Sequence, residues 1–303
     1  MDFHSYIHAV GTGHKGNRDL SFEESEEMMR QLLERKAYDE QIAAFLLGWR
    51  IKPETTEEFK GALHACDSYI SPVTVENSIE LGYPFDGKVN NPYIFPLAAK
   101  IAKAYLNIVL VGDELQPAKG GITVKEIISG MDMGSNIHFF DRKEYLEKLH
   151  DLTGLRMRLG LRTGLNTIEK LPRIANSEYA VTGVFHKPYV QKYIDIFANR
   201  YKRFAILQGN EGTPELFSKG RLWISDEKRV EEIVIDPKYY GIDYKRSWER
   251  ITLEESLSQL GDPSEEFLKL AVLNAAILLF IMQKTDSIDE GFELLSQDRG
   301  IDG

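Results

Sequence analysis

The residues of this chain that could do chemistry fall in four loops. Residues 81–93, LGYPFDGKVNNPY, precede an apolar helical stretch, and Asp86-Gly87-Lys88 forms a turn with an acid and a base at its tip. A loop that feeds a helix N-terminus can hold a phosphate on backbone N–H groups if small residues allow close approach. Here Gly82 and Gly87 are accompanied by Tyr83, Pro84, Phe85, Pro92 and Tyr93. Residues 11–18, GTGHKGNR, mix three glycines with His14, Lys15 and Arg18, and read either as a flexible arm or as an anion contact. Residues 209–215, GNEGTPE, follow an apolar run, where α/β proteins place ligand loops; an ordinary strand-to-helix turn is the alternative. Residues 159–166, LGLRTGLN, set Arg162 among small residues, suited to a two-point grip on a carboxylate or phosphate.

These loops need elements to position them, and 303 residues with 43% hydrophobic content suffice for one large and one small domain. Ser21 and Glu24 form a capping box ahead of an apolar stripe, Asp39 can cap a second helix, and Thr55 or Thr56 a third. Three short amphipathic helices thus make a helical domain over residues 1–68. From residue 69 to 303 helices alternate with strands: a helix over 96–105, a buried strand over 107–111, and a helix capped by Thr123 and Glu126. Strands follow at 204–207, 221–225 and 230–235, and three C-terminal helices open at Thr252, Pro263 and Ser287. The alternation implies an α/β domain with a partly parallel sheet.

Composition excludes several classes. The single Cys66 rules out internal disulfides and a cysteine-rich metal site, and reads as a helix-packing residue. The start MDFHSYIHAV is too short and too polar for a signal peptide, and the apolar run over 270–282 is too short to span a membrane, so a cytoplasmic protein is expected. A net charge of −10 argues against nucleic acid, yet residues 152–203 carry ten Lys/Arg against three acids. That excess is either a set of solvated helix faces or an anion-facing patch.

Taken in order, AAFLLGWRIKPETTEEFKGAL (43–63), LGLRTGLN (159–166), QGNEGTPEL (208–216) and VLNAAILLF (272–280) resemble glycosyltransferase family 3. Its members include anthranilate phosphoribosyltransferase and the pyrimidine nucleoside phosphorylases. The resemblance covers nearly the whole chain. It implies a small N-terminal α-helical domain, joined by a helical contribution from about 152–180, packed on a larger α/β domain with a central partly parallel sheet. It further implies a site in the cleft between the domains and a homodimer formed through the helical one.

The departures from the family pattern are pointed. The GTGGD loop that holds phosphoribosyl pyrophosphate becomes GYPFD at 82–86, and the Asn-x-Ser-Thr turn falls on Pro92, Tyr93, Ile94 and Phe95. The Lys-His-Gly-Asn motif gives way to Val111, Gly112, Asp113 and Glu114, and the Asp-Glu magnesium pair to Pro214 and Glu215. The resemblance leaves Gly82, Asp86, Gly87, Lys88 and Lys119 as phosphate or anion contacts. Arg162, which matches the arginine that contacts anthranilate, joins Asn166 as an acceptor contact. Glu215, alone or with Glu211, is a thin magnesium site, needed if a phosphoribosyl donor is used. No catalytic residue is identified.

One branch of the family begins with a basic Gly-x-Gly stretch ending Arg-Asp-Leu, as AVGTGHKGNRDLS (9–21) does, and carries a Tyr-Asn-Gly-Arg-like loop that Phe85–Lys88 resembles. For that branch the resemblance implies nucleic-acid binding in a basic groove of the dimer, with Lys15, Arg18, Lys88, Arg156, Arg158 and Arg173 among the contacts. Three readings follow: a pentosyl (phosphoribosyl) transferase that does not use anthranilate, a non-enzymatic nucleic-acid-binding protein, or a dimer holding a small phosphorylated or other anionic ligand in the cleft.

Overall fold

The computed structural model describes residues 2–185, 187–226 and 229–297. Four helices open the chain: α1 (Phe3–Gly11), α2 (Phe22–Leu33), α3 (Asp39–Ile51) and α4 (Thr56–Asp67). Ser21–Glu24 and Thr55–Glu58 close reciprocal capping boxes at the starts of α2 and α4, satisfying backbone donors that a helix start leaves open. Asp39 is the first residue of α3 and Tyr38 its cap. The apolar faces of these helices meet around Phe45, Leu46 and Trp49.

The rest of the chain builds one seven-stranded sheet: β1 (Ser78–Gly82), β2 (Asn107–Gly112), β3 (Ile137–Asp141), β4 (Tyr179–Val184), β5 (Arg203–Gln208), β6 (Gly220–Asp226) and β7 (Val230–Ile235). The spatial order is β3-β2-β1-β4-β5-β6-β7. Neighbours run parallel from β3 to β5, while β6 and β7 are antiparallel additions. The connecting and flanking helices are α5 (Phe95–Ile101), α6 (Val124–Gly130), α7 (Arg142–Tyr145), α8 (Glu147–His150), α9 (Thr153–Leu159), α10 (Leu165–Ile168), α11 (Tyr189–Phe197), α12 (Leu253–Gly261), α13 (Glu265–Ile281) and α14 (Ile288–Gln297). This is a small helical domain with a larger α/β domain and a mixed sheet. Leu152, Leu155, Leu165 and Ile168 share the apolar cluster of α1–α4, whereas α13 packs among Ile79, Leu110, Val181 and Leu207 of the sheet.

The architecture places the first candidate loop. Strand order reverses between β1 and β4, so the chain leaving β1 enters the crevice where open α/β sheets seat ligands. Among the described residues, no helix is long and apolar enough to cross a membrane. The structure also revises several expectations. Residues 3–11 form a helix ahead of the 12–18 stretch, so that stretch joins two helices instead of preceding the first; the helix expected over 96–105 ends at Ile101, and β1, β3 and β4 join the four strands read from sequence.

Candidate functional site

The loop after β1 folds inward. Gly87 N donates to Pro84 O at 3.2 Å, closing a tight turn, and Gly87 takes φ +77°. A Cβ at Gly87 would lie 2.5 Å from the Gly121 carbonyl carbon, so the position needs glycine for both conformation and space. Lys88 N then donates to Ile122 O at 2.9 Å, which turns the Lys88 side chain into the domain. Behind it Tyr83, Tyr93 and Phe95 pack edge to face, with centroids 5.4–5.6 Å apart.

Glu215, from the loop after β5, enters this aromatic cage. Its Oε1 accepts from Tyr83 Oη at 2.8 Å, Ile94 N at 2.6 Å and Phe95 N at 3.1 Å. Its Oε2 accepts from Lys88 Nζ at 2.6 Å. Lys88 is completely buried, donates to Pro92 O at 2.7 Å, and lies 4.1 Å from the Phe217 ring centre. Burial pulls its ammonium below the ordinary lysine value, with the Glu215 carboxylate opposing. Three donors thus crowd Oε1, and Lys88, with Thr213 Oγ1 at 3.5 Å, holds Oε2. Lys88 is therefore not presented to solvent as a phosphate contact, and Glu215 is a buried carboxylate whose charge Lys88 already neutralises. Position 214 is a proline. The residues present do not fit a magnesium ion at this place. Among the described residues no cluster of three or more His, Cys, Asp or Glu could hold a metal.

A second carboxylate straps the same two loops together. Glu211 sits in the left-handed region at φ +58° and accepts from Val89 N and from Asn90 N at 3.0 Å. Lys119 Nζ donates to Glu211 O at 3.1 Å and lies 3.3 Å from Asp86 Oδ1. Arg162 grips Asp86 Oδ2 through Nε at 2.6 Å and through Nη2. Asn166 holds its own turn, accepting from Thr163 N and donating to Pro117 O, both at 3.0 Å.

These groups border a cavity of about 260 Å³ between α3 and the carboxyl ends of β1 and β4. Arg50, Arg162 and Lys170 bring positive charge to it, Glu54, Asp86 and Glu211 negative, and Phe185, Tyr189 and Tyr193 aromatic faces. Two buried oxygens lie on its walls: Thr163 Oγ1 has no hydrogen-bond partner, and Asp86 Oδ1 faces the Lys119 ammonium at 3.3 Å. Lys170 Nζ lies 3.3 Å from Tyr193 Oη. Burial pushes the Tyr193 phenol up, but Lys170, Thr167 and Arg162 outweigh it and hold the phenol below its ordinary value. Burial raises the Glu54 carboxyl against Lys192 and Arg50. Asp86, Arg162 and Asn166 were legible in sequence as residues of this cleft, Lys170 only as one of the basic residues of 152–203 and Thr163 only as part of LGLRTGLN, while no local motif marks Tyr193 or Glu54.

The residues expected to contact nucleic acid do not share one free surface. Arg156 is buried and donates to Glu169 at 2.6 and 3.1 Å, inside a network with Arg142, Asp113 and His150. Arg18 holds Glu24 through two 2.7 Å bonds, and Arg158 donates to Asp39 at 2.7 Å. Lys15 and Arg173 are exposed, the latter at φ +57° with its N–H on Glu80. Cys66 is buried in α4, and burial drives its thiol up, which makes it inert.

Comparison with known proteins gives this architecture its relatives. The helical-bundle domain of a glycosyl transferase family matches residues 4–69, and the a/b domain of such a family matches residues 124–298, more than half of the chain. An uncharacterized protein of Aquifex aeolicus (strain VF5) is 32% identical across 90% of this chain and 91% of its own length. An anthranilate phosphoribosyltransferase of Petrotoga mobilis is 23% identical across 97% of this chain and 92% of its own. The crystal structure of anthranilate phosphoribosyltransferase from Thermus thermophilus superposes with a TM-score of 0.75 at 20% identity, covering 98% of this chain and 94% of that one. The Saccharomyces cerevisiae enzyme in complex with PRPP and Mg also gives 0.75, at 16% identity over 97% and 92%. At such identities the superpositions speak to the fold, and the domain matches together with the Aquifex relative speak to descent. The chain belongs to the glycosyl transferase family that joins a helical bundle to an a/b domain.

Proposed function

We propose that this protein binds a small anionic ligand in the cleft between its two domains and does not transfer a phosphoribosyl group to anthranilate. The observation that carries this reading is the seat of Glu215. Ile94 N and Phe95 N, which could receive an oxyanion at the start of α5, both donate to the chain's own carboxylate, and Lys88 closes the seat. Phosphoribosyl pyrophosphate would have to displace Glu215 from four donors and leave a buried lysine without its counter-charge. Magnesium, bound with PRPP in the yeast relative, would meet at Glu215 a buried carboxylate already neutralised by Lys88.

The acceptor side remains open. Lys170, Arg50 and the part-exposed Arg162, which Asp86 holds through Nε and Nη2, bring charge for an acid, the aromatic walls suit a planar body, and Thr163 Oγ1 has no hydrogen-bond partner. Nucleic-acid binding draws less support, because Arg156 is buried against Glu169 and cannot reach a phosphate backbone, whereas the exposed pairs of Arg18 and Arg158 could exchange. A homodimer through the helical domain is supported by α3 and α9, which pack together and expose Leu47, Ile51 and Met157.

Calorimetric titration tests the reading, with phosphoribosyl pyrophosphate plus magnesium, with a panel of small aromatic and aliphatic acids, and with short DNA at two salt concentrations. We expect an acid to bind, Arg162→Ala to weaken it roughly tenfold or more, and the pyrophosphate donor to give no heat. Micromolar donor binding overturns the proposal. DNA binding that weakens with salt, in place of any acid, hands the function to nucleic acid.

A further inference from the structure

A second cavity, of about 520 Å³, lies across the 209–212 loop from the cleft, with Phe185 on the border of both. It opens at the carboxyl end of β5, an edge where α/β sheets place ligands. Lys219, Arg221 and Arg246 line it, and among the described residues lining it there is no Asp or Glu. In a chain of net charge −10 that concentration of cations is a departure from the average surface. Arg221 reaches Glu232 at 2.9 Å and Gln208 Oε1 at 3.4 Å, and Lys219 lies 3.6 Å from Asp236. These are exposed pairs outside the cavity wall, easily exchanged for a ligand oxyanion.

Arg246 is held differently. Its guanidinium lies over the Trp248 ring, 4.1 Å from the ring centre, and that tryptophan is 72% exposed. The segment that carries both residues is pinned to the loop after β1: Asn90 Nδ2 donates to Trp248 O at 2.7 Å, and Ser247 N donates to Asn91 Oδ1 at 3.0 Å. Phe185, 63% exposed, supplies a second aromatic surface. We propose that this cavity, built from Lys219, Arg221, Arg246 and the neighbouring aromatic faces, binds a phosphorylated ligand with a planar ring, of mononucleotide size. The phosphate takes charge-assisted hydrogen bonds from the two arginines and Lys219, and the ring stacks on an aromatic or guanidinium plane. The volume falls in the range of small-molecule sites. The inference is independent of what the interdomain cleft binds.

The chain carries its own reporter. Trp49 and Trp223 are buried, so a change in the quenchable, solvent-exposed part of the emission reports on Trp248. The full chain is titrated with adenosine monophosphate, adenosine and inorganic phosphate, by fluorescence and by calorimetry. The monophosphate should bind saturably and more tightly than either fragment. Arg246→Ala and Arg221→Gln should each weaken it roughly ten- to a hundredfold, and Trp248→Phe should remove the optical signal while heat remains. Unchanged affinity in Arg246→Ala, or affinity lost in Arg162→Ala instead, overturns the assignment. So does binding of a short single-stranded oligonucleotide with none of the monophosphate.

Discussion

Replacing Lys88 with methionine tests the physical core of the functional reading. The side chain keeps its length and loses its charge, so packing against Phe217 and Tyr93 survives while the bonds to Glu215 and Pro92 O vanish. Breaking a buried pair by removing one partner costs about 3–5 kcal/mol. Glu215 keeps three donors, Tyr83 Oη, Ile94 N and Phe95 N, which places the expected loss at the lower end, about 3 kcal/mol. In a chain of this size that shifts the melting midpoint down by about 6 °C. Adding Glu215→Gln removes the stranded charge, and the double variant should recover at least about 1 kcal/mol, a coupling expected of residues in direct contact. Urea denaturation followed by circular dichroism measures all four proteins. Lys88→Met within about 1 kcal/mol of the parent, or a double variant equal to the sum of the singles, refutes the reasoning. It would mean that the pair is easily parted, and that a phosphate could enter the seat at little cost.

Three further expectations rest on other residues. Glu80 in β1 is fully buried and its carboxyl is pushed up to about 7, by burial against hydrogen bonds from Tyr201 and Arg173. A folded-state value above the unfolded one gives stability that is present below about 4.5 and lost as pH rises through about 7. Between those limits Glu80→Gln should gain on the parent by up to roughly 3 kcal/mol, and then hold level; parallel stability curves across that window would sink this account. Glu211→Gly relieves a left-handed backbone and frees the N–H groups of Val89 and Asn90, so millimolar phosphate should raise the melting midpoint of the variant and not of the parent. An equal response in both says that those amides are not an anion seat. Ile51→Lys together with Met157→Lys charges the apolar face of the helical domain. Light scattering should show half the parent's mass, and an unchanged mass rules that face out as the interface.

Where local rules govern, the sequence was readable. The boxes at Ser21, Thr55, Thr123 and Thr252 announce helix starts because the pattern satisfies its own donors, and all four appear. β2 and β5 were visible as apolar runs, and β6 and β7 as short strands near 221–225 and 230–235. β1 was not, because Ser78 and Glu80 sit in its five residues as fully buried polar groups whose partners, Ser177 and Tyr201, come from distant parts of the chain. The site divides the same way. That the loop of residues 81–93 is a candidate ligand loop was legible from its place ahead of an apolar helical stretch and from the family resemblance, although the strand before it was not. The direction of Lys88 was not legible either, since it depends on Glu215, 127 residues further on. Arg156 looked like a surface cation because nothing nearby in sequence shows that Glu169 and Arg142 bury it.

The two carboxylates that bridge the loops share one logic. A helix start or tight loop with converging N–H groups is an electrostatic vacancy for an anion, and a protein that does not carry a bound phosphate must fill it or expose it to water. Glu215 fills one such place and Glu211 another, each from the segment that follows β5, the strand three positions from β2 in the sheet order. Both acids come from one short segment, four residues apart, so the two seats share a single backbone support. The same stretch forms a wall of the second cavity through Gly209 and Asn210, so occupancy there bears on the segment that holds the donor seat shut. If the nucleotide site exists, its ligand should therefore change the response of the Glu211→Gly variant to phosphate. Phosphate stabilisation measured with and without adenosine monophosphate separates the cases: an identical increment in both means that the loop does not couple the two places.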